Sequence, residues 1–421
     1  MSMTNETTKD MAPIIAIVSK QRLTGAVNGS SAYLLALADT FKQTGYAVHL
    51  IQPSPAIAGR TPVLTMAPEM SVFERHSIRR SLRMGKWFFV FDHEVISLAV
   101  IGLLRMLARR VGLSGRWTLD RPRPHSIGTP WTKAEKAYIA RKVSDSTSIV
   151  VADYVFAATA FDQVSRDCEK AIIMHDLFHA RQGGDLDSAA RLNRADELVS
   201  LGRADVIITI QQEEHAFVGR ELPEVRAVLA PMPAQPVSQS FPGDENRLLF
   251  VGSNTAPNTD GLAWFLKHVW PSIKQQRPNA VLDVVGSVCR SLPEFGGNSD
   301  IIASGVVRDL RRHYTEAGVV ISPLRFGSGL KKKLVEALAF GKATVVTPIT
   351  LQGVEDVCGD AVCVADNAEV FAAEVVRLQQ NAMQREALAD RALSCAQREF
   401  SAESVHRDLR AWLVDQRDKV V

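Results

Sequence analysis

The feature that most constrains this chain is a strand, loop, helix and strand rhythm that appears near residue 14 and starts again near residue 247. The first run reads "IIAIVSK", then the glycine-bearing loop "QRLTGAVNGSS", then "AYLLALADTFKQTGY", then "AVHLIQP". Apolar residues at 34, 35, 37, 38 and 41 give the middle segment one apolar face, so it is predicted as an amphipathic helix between two buried strands. Two strands joined by a helix lie parallel, and a parallel sheet is buried on both faces. Further strands are expected at "SIVVAD", "KAIIMHD" and "ADVIITI". After Leu229 the stretch "APMPAQPVSQSFPGDENR" has four prolines and no periodicity, and reads as an interdomain linker. The rhythm then resumes with the strand "RLLFVGS", the helix "TDGLAWFLKHVWPSIKQQ" and the strands "AVLDVVGS", "GVVISPL" and "KATVVT". The expected fold class is therefore α/β, with two Rossmann-like, doubly wound domains.

A length of 421 residues suits two such domains, and 46% apolar with 23% charged residues is the composition of a globular protein. The net charge of +3 is too small to argue for nucleic acid, and none is expected as a partner. Five scattered cysteines predict neither disulfides nor zinc and fit a reducing compartment. Residues 1–12 are polar, carry no signal-peptide core and are expected to be a disordered lead-in.

Residues 74–123 break the rhythm and read as a basic, apolar insertion. They hold 11 Lys or Arg and 4 Asp or Glu, a balance of +7. Their longest uncharged run, Val95 to Leu104, is too short to span a bilayer. Basic residues beside Trp87, Phe88, Phe89 and Phe91 suit contact with an anionic membrane surface, and a helical insertion packed on the first domain is the alternative.

The stretch richest in chemistry is "RFGSGLKKKLVEALAFGKATVVT", residues 325–347. Gly327 and Gly329 flank Ser328 in a turn, Leu330 to Phe340 is rich in helix formers, and Gly341 stands where a helix stops. Amides at such a helix start attract anions, phosphate above all. Lys331 and Lys333 near the first turn stand at the wrong end of the helix dipole unless an anion meets them. A solvated lysine face is the plain alternative.

These residues, with "FVGSNTAPNTDGLAWFLKHVWPSIKQQRPNAVLDVVG" and "GVVRDLRRHYTEAGVVISPL", resemble the retaining nucleotide-sugar glycosyltransferases of family four, in the exopolysaccharide and capsule branch. The resemblance covers about 245–400 well and the first half more weakly, through "NGSSAYLLALADTFKQTGYAVHLIQP" and "ADVIITIQQEE". It implies the GT-B fold, with two Rossmann-like domains facing a cleft: 13–230 for the acceptor, 231–246 as linker, 247–398 for the nucleotide sugar, and 399–421 as a helix crossing back. It implies hexosyl transfer from a nucleotide sugar to a lipid-linked or oligosaccharide acceptor, in the cytoplasm and peripherally at the inner face of the membrane. No cofactor and no metal are expected.

The resemblance also implies roles. Glu336 receives the ribose hydroxyls, and Lys331 and Lys333 meet the diphosphate beside Gly327, Ser328 and Gly329. Gly252 and Ser253 lie near the phosphates, backbone at Gly305 and Val306 meets the base, and Gly29 and Ser30 offer amides from the first loop. His175, with Asp176 beside it, matches the family's cleft histidine; a core histidine bonded to a backbone carbonyl is the alternative. Three family positions differ. Ser328 stands where a glutamate is usual, Ser253 where an arginine is, and Thr259 near a usual lysine. Those losses favour a second possibility, a non-catalytic GT-B partner in a polysaccharide assembly complex. No G-x-G-x-x-G follows either leading strand, which argues against a dinucleotide enzyme.

Overall fold

The structure is a computed structural model that describes residues 12–27, 29–110, 126–144, 146–165, 167–179, 192–291, 300–307, 309–326 and 331–420. The chain forms two compact units, residues 1–232 with 405–421, and residues 233–404. The expected lead-in lies outside the described residues apart from its last position.

The first unit is built on a seven-stranded parallel sheet. Its members, with the intervening helices, follow in chain order: β1 (Ile14–Val18), α1 (Gly29–Gln43), β2 (Ala47–Gln52), β3 (Val63–Thr65), β4 (Arg75–Ile78), β5 (Ser81–Met84), β6 (Trp87–Val90), α2 (His93–Arg110), α3 (Lys133–Lys142), β7 (Thr147–Asp153), β8 (Glu169–Met174), α4 (Arg194–Leu201), β9 (Val206–Thr209), α5 (Gln212–Glu221) and β10 (Arg226–Leu229). The sheet runs β10-β9-β8-β7-β1-β2-β4, while β3, β6 and β5 form a separate antiparallel sheet. Strand order reverses between β1 and β7, so their carboxyl ends flank a topological switch point, where α/β sheets bind ligands. The central strands are apolar on both sides. Ile15, Ile17 and Val151 pack with α1, and Ala16, Val18 and Val150 pack with Ile139 and Phe161 on the opposite face.

Residues 74–123 depart from the expected insertion. Arg75–Ile78 is a strand of the main sheet, paired in parallel with β2, and the following residues make a hairpin before the helix. Met84 pairs with Trp87 around a Gly85-Lys86 turn in which Gly85 has φ +59°, a conformation that glycine adopts without strain. Residues 111–123 lie outside the described residues.

The second unit runs β11 (Asp244–Val251), α6 (Ala256–Trp264), α7 (Trp270–Gln276), β12 (Val281–Val285), β13 (Ile301–Gly305), α8 (Arg311–Glu316), β14 (Ala317–Ser322), α9 (Lys332–Ala339), β15 (Thr344–Val346) and β16 (Cys363–Val364), followed by helices Ala368–Gln380 and Ala382–Glu399. Its six-stranded parallel sheet has the order β13-β12-β11-β14-β15-β16, with the switch point between β11 and β14. β11 opens at Asp244, inside the stretch read as linker, where Asp244 pairs with Ala317 before a register shift that brings Leu248 opposite Val319. The single helix expected over 259–276 is α6 and α7 joined by a π-helical turn, Phe265–Val269. Gly341, at φ +58°, ends α9 with its amide on the Leu338 carbonyl.

The closing stretch is not one helix from 399. Glu399 ends its helix, Ala402–Val405 makes one turn, and Arg407–Val420 forms the last helix. That helix belongs to the first unit, where Leu409, Trp412 and Leu413 are fully buried in the core on the face of the sheet that α1 covers. Tyr46 donates its hydroxyl to the Leu413 carbonyl at 2.8 Å, and His406 Nδ1 lies 2.7 Å from Thr40 Oγ1.

Candidate functional site

In the first unit, the chemistry gathers at the carboxyl ends of β1, β7 and β8. β7 and β8 pair with Asp153 opposite Ile173, so the last residue of β7 lies beside the exit of β8, where His175 follows. His175 Nε2 lies 2.8 Å from Asp153 Oδ1, and both side chains are buried, at 7% and 0% exposure. The partner of the histidine is thus a carboxylate rather than the backbone carbonyl of the alternative. The other carboxylate oxygen, Oδ2, accepts from Ser19 Oγ at 2.5 Å and from Gln21 Nε2 at 2.8 Å. The Ser19–Asp153 bond spans the switch point between β1 and β7.

Rings fix the imidazole as well. Tyr154 stacks on it with centroids 3.9 Å apart, and Tyr33 meets it edge-on at 5.7 Å. Tyr154 has φ +72°, a strained conformation for a residue with a Cβ. Such a cost at the end of a strand is a mark of sites where geometry is imposed by the surroundings.

Of the two first-loop candidates, Gly29 is the exposed first residue of α1, and Ser30 Oγ donates to Gln21 Oε1 at 3.1 Å. Ser30 therefore joins the His175 group through Gln21 and Asp153. Asp176 Oδ1 accepts the Leu177 amide at 2.9 Å and so shapes its own loop. The loop is held further by Glu197, fully buried, which accepts the Phe178 and His179 amides at 2.9 Å each and lies 2.7 Å from His179 Nδ1. Glu214 accepts the Ile210 and Gln211 amides, and burial pushes its carboxyl up to about 7, with Asp176 adding to the rise.

In the second unit, β11 and β12 end in similar sequences, "FVGS" and "VVGS". Gly252 and Gly286 let those ends meet. A Cβ on Gly286 would stand 2.1 Å from the Gly252 carbonyl oxygen, and Gly286 has φ +110°. Ser253 is exposed, and its carbonyl and hydroxyl oxygens accept from Asn258 Nδ2. Thr259 donates back to Thr255 and Ala256 carbonyls. Across the switch point, Arg325 makes a bidentate pair with Asp260 at 2.8 and 2.5 Å. Gly305, at φ +68°, ends β13 and accepts the Gly286 amide, and Val306 beside it is 73% exposed.

Gly327, Ser328 and Gly329 lie outside the described residues. Lys331 precedes α9, half-buried, and burial lowers its pKa. Lys333 Nζ lies 2.5 Å from Glu336 Oε2, one turn along the same helix face. Glu336 is 30% exposed, so it is a half-buried carboxylate. Tyr314 Oη approaches the same oxygen at 3.5 Å; the ring is fully buried and stacks on Phe340 at 4.5 Å. Burial, and then Glu336, raise the Tyr314 hydroxyl well above its ordinary pKa, so it stays a donor. Lys332 is exposed.

Sequence reasoning missed Asp153, Ser19, Gln21 and Tyr314. Asp153 carried a signal, since it closes the apolar strand "SIVVAD" in the position that His175 holds after "KAIIM". Among the described residues, no group of three or more His, Cys, Asp or Glu side chains is placed to hold a metal ion.

Residues 245–381 match the family model described as "Glycosyl transferases group 1". An "uncharacterized 44.6 kDa protein in cps region" of Klebsiella pneumoniae is 26% identical over 168 residues, which span 38% of this chain and 43% of that protein. Solved structures resemble the whole chain. Sucrose-phosphate synthase of Thermosynechococcus elongatus aligns over 97% of this chain and 100% of its own at TM-score 0.57 and 16% identity. TarM of S. aureus, solved with UDP and α-GlcNAc-glycerol, aligns over 95% and 99% at TM-score 0.57 and 8% identity. HepE of Anabaena, solved with UDP, aligns over 96% and 100% at TM-score 0.53 and 11% identity. At these identities the likeness is one of fold: two Rossmann-like domains of the GT-B type.

Proposed function

We propose that the protein is a retaining glycosyltransferase that moves a hexosyl group from a nucleotide-diphosphate donor to a lipid-linked or saccharide acceptor. The observation that carries this reading is the Lys333–Glu336 pair on the helix that follows β14, at the switch point of a unit whose residues 245–381 match a glycosyltransferase family model. UDP in the TarM and HepE structures supports a nucleotide sugar as donor, and the sugar–glycerol ligand of TarM supports a saccharide acceptor. The cps-region relative supports a place in bacterial surface polysaccharide or glycoconjugate synthesis. The reading extends to a peripheral enzyme at the inner face of the cytoplasmic membrane, without nucleic acid as a partner.

In the proposed reaction the acceptor hydroxyl oxygen attacks the anomeric carbon on the face that the leaving group departs. The bond from that carbon to the phosphate oxygen breaks as the new glycosidic bond forms. The hydroxyl proton passes to the departing phosphate oxygen, and nucleoside diphosphate is released. No protein nucleophile takes part, in keeping with a serine at 328. Developing charge on the phosphate must be met by cations or donors. Lys331, Lys333 and the amides of 327–329 supply them, with Gly252, Ser253, Gly29 and Ser30 as further phosphate contacts. Glu336 accepts from the ribose hydroxyls, and backbone at Gly305 and Val306 meets the base. His175, oriented by Asp153, bonds a hydroxyl of the sugar or the acceptor, with Asp176 beside it. The chemistry proposed uses neither a metal nor a cofactor.

The non-catalytic alternative also has an observation in its favour. The segment from Ser253 into the first turn of α6 is an uncharged network that includes Thr255, Asn258 and Thr259, and Arg325 is paired with Asp260. A thermal-shift panel of nucleotide sugars tests donor binding. A UDP- or GDP-sugar is expected to raise the melting temperature of the wild type and not of Glu336→Ala. Indifference of the wild type to every nucleotide sugar would reject the donor site.

A further inference from the structure

The outer surface formed by the β3–β6–β5 sheet and α2 has the wrong composition for contact with water. In the hairpin, Leu82 pairs with Phe89 and Met84 with Trp87, so these four side chains share one face. Val63, opposite Phe89 on β3, extends it. The other face holds Phe88, Val90 and Leu64, all buried in the core. A small antiparallel sheet with one face on the core ordinarily turns polar residues to water. Here Leu82, Met84, Trp87 and Val63 are all exposed.

α2 repeats the pattern. Val95 is buried and Leu98, Ala99 and Gly102 are half-buried, at i, i+3, i+4 and i+7, which is the stripe that seats the helix. A second stripe at Ile96, Val100, Leu103, Leu104 and Leu107 is exposed, Leu104 at 59%. Phe91, which joins hairpin to helix, is 61% exposed. Single exposed apolar residues need no explanation, but two contiguous elements with apolar outer faces mark an interaction surface.

Charge selects the occupant. Residues 74–110 carry 8 Lys or Arg and 3 Asp or Glu, a balance of +5. Lys86 lies in the hairpin turn, its Nζ 5.3 Å from the Trp87 ring centroid, whereas Arg83, opposite Phe88, stands on the other face with its guanidinium 5.4 Å from that ring. Neither has a carboxylate partner among the described residues. Arg110, exposed, ends α2. No helix among the described residues is long and apolar enough to cross a membrane. An amphipathic helix of this length with aromatic neighbours and basic flanks lies in the plane of a bilayer interface. We infer that the outer face of the β5–β6 hairpin and of α2 docks on an anionic lipid bilayer. Leu103, Leu104, Leu107, Met84 and Trp87 enter the acyl boundary, and Lys86 and Arg110 lie at the headgroups. The surface shares no residue with the candidate donor site, so the two proposals fail separately.

The test is flotation of the full chain with vesicles of phosphatidylcholine alone or mixed with phosphatidylglycerol. Binding is expected only with phosphatidylglycerol, and to weaken as salt is raised. Leu104→Glu with Leu107→Glu, and Met84→Ser with Trp87→Ser, are each expected to lower binding about tenfold or more. Lys86→Glu with Arg110→Glu is expected to lower it by a similar, salt-dependent factor of about ten. All these side chains are exposed, so melting temperatures should stay near wild type, which separates lost docking from lost fold. Absence of flotation with phosphatidylglycerol overturns the inference, as does binding blind to anionic content. A concentration-dependent dimer that the Leu104 and Leu107 changes dissolve would also overturn it, and would assign the face to a second copy of the chain.

Discussion

His175 Nε2 and Asp153 Oδ1 lie 2.8 Å apart at the ends of adjacent strands, although 22 residues separate them in the chain. The carboxylate holds the ring through one nitrogen and is itself held by Ser19 and Gln21. Asp153→Asn places an amide NH₂ or a single carbonyl where three donors converge. Its expected effect is a roughly tenfold to hundredfold loss of transfer rate with little change in donor affinity, since the residue acts through His175. The check is kcat against KM for nucleoside diphosphate release, with the pH profile of each variant. A folded Asp153→Asn protein with the wild-type rate and profile would remove the positioning role.

Lys333 and Lys332 provide an internal comparison. Lys333 shares a helix face with Glu336, whereas Lys332, exposed as Lys333 is, is turned about 100° away. Lys333→Ala should cost about 2–3 kcal/mol of transition-state stabilisation, roughly 30- to 150-fold in rate. Lys331→Ala should cost less, and Lys332→Ala almost nothing, with all three melting near wild type because surface ion pairs add little to stability. Equal, small effects at the three positions would make the run a solvated face.

Glu214 gives stability a pH dependence of defined sign. Its carboxyl is pushed up to about 7 in the folded state, from an ordinary 4.5. Between those values the folded chain binds the extra proton, so stability falls as pH rises through that window, by on the order of 3 kcal/mol once the group is ionised. Glu214→Gln keeps an acceptor for the Ile210 and Gln211 amides without the charge. The variant should therefore melt above wild type at pH 8, and the gain should vanish towards pH 4.5. A difference in melting temperature that does not vary with pH would contradict the assignment.

Lys342 is a buried cation of the second unit whose Nζ donates to the carbonyls of Phe241, Thr315 and Ala317, at 2.6, 3.4 and 2.8 Å. Burial lowers its pKa to about 8. Lys342→Met removes the donors and leaves buried acceptors unmet, at an expected cost of about 2–4 kcal/mol. Denaturant unfolding of the variant measures it; an unchanged midpoint would show that the carbonyls find other partners.

Much of the fold was legible because its signals are local. The apolar runs of β1, β7, β8 and β11, the stop at Gly341 and the proline-rich break before β11 are each written within a few residues. What escaped depends on register and packing between distant segments. Asp153 meets His175 only because β7 pairs with β8 in one register. Cys358 and Cys363 are close in sequence, yet the near neighbour of Cys358 is Cys395, Sγ to Sγ 3.5 Å, because two helices bring them together. The β5–β6 hairpin was hidden because apolar residues occupy both of its faces, so "WFFV" shows no alternation. At the donor site, Lys331, Lys333 and Glu336 were named from spacing, whereas Tyr314, which approaches Glu336 from α8, required the structure.

The central claim is sugar transfer from a nucleotide-diphosphate donor, and its most direct measurement is nucleoside diphosphate release by the purified full chain. Nucleotide sugars are offered singly, with and without an extract of bacterial membrane as the source of acceptor. One donor is expected to give release that requires the extract, with about 2–4 kcal/mol of donor binding lost in Glu336→Ala. Donor binding without release under any acceptor, in a wild type as inert as Glu336→Ala, would contradict the account and leave the protein a non-catalytic partner.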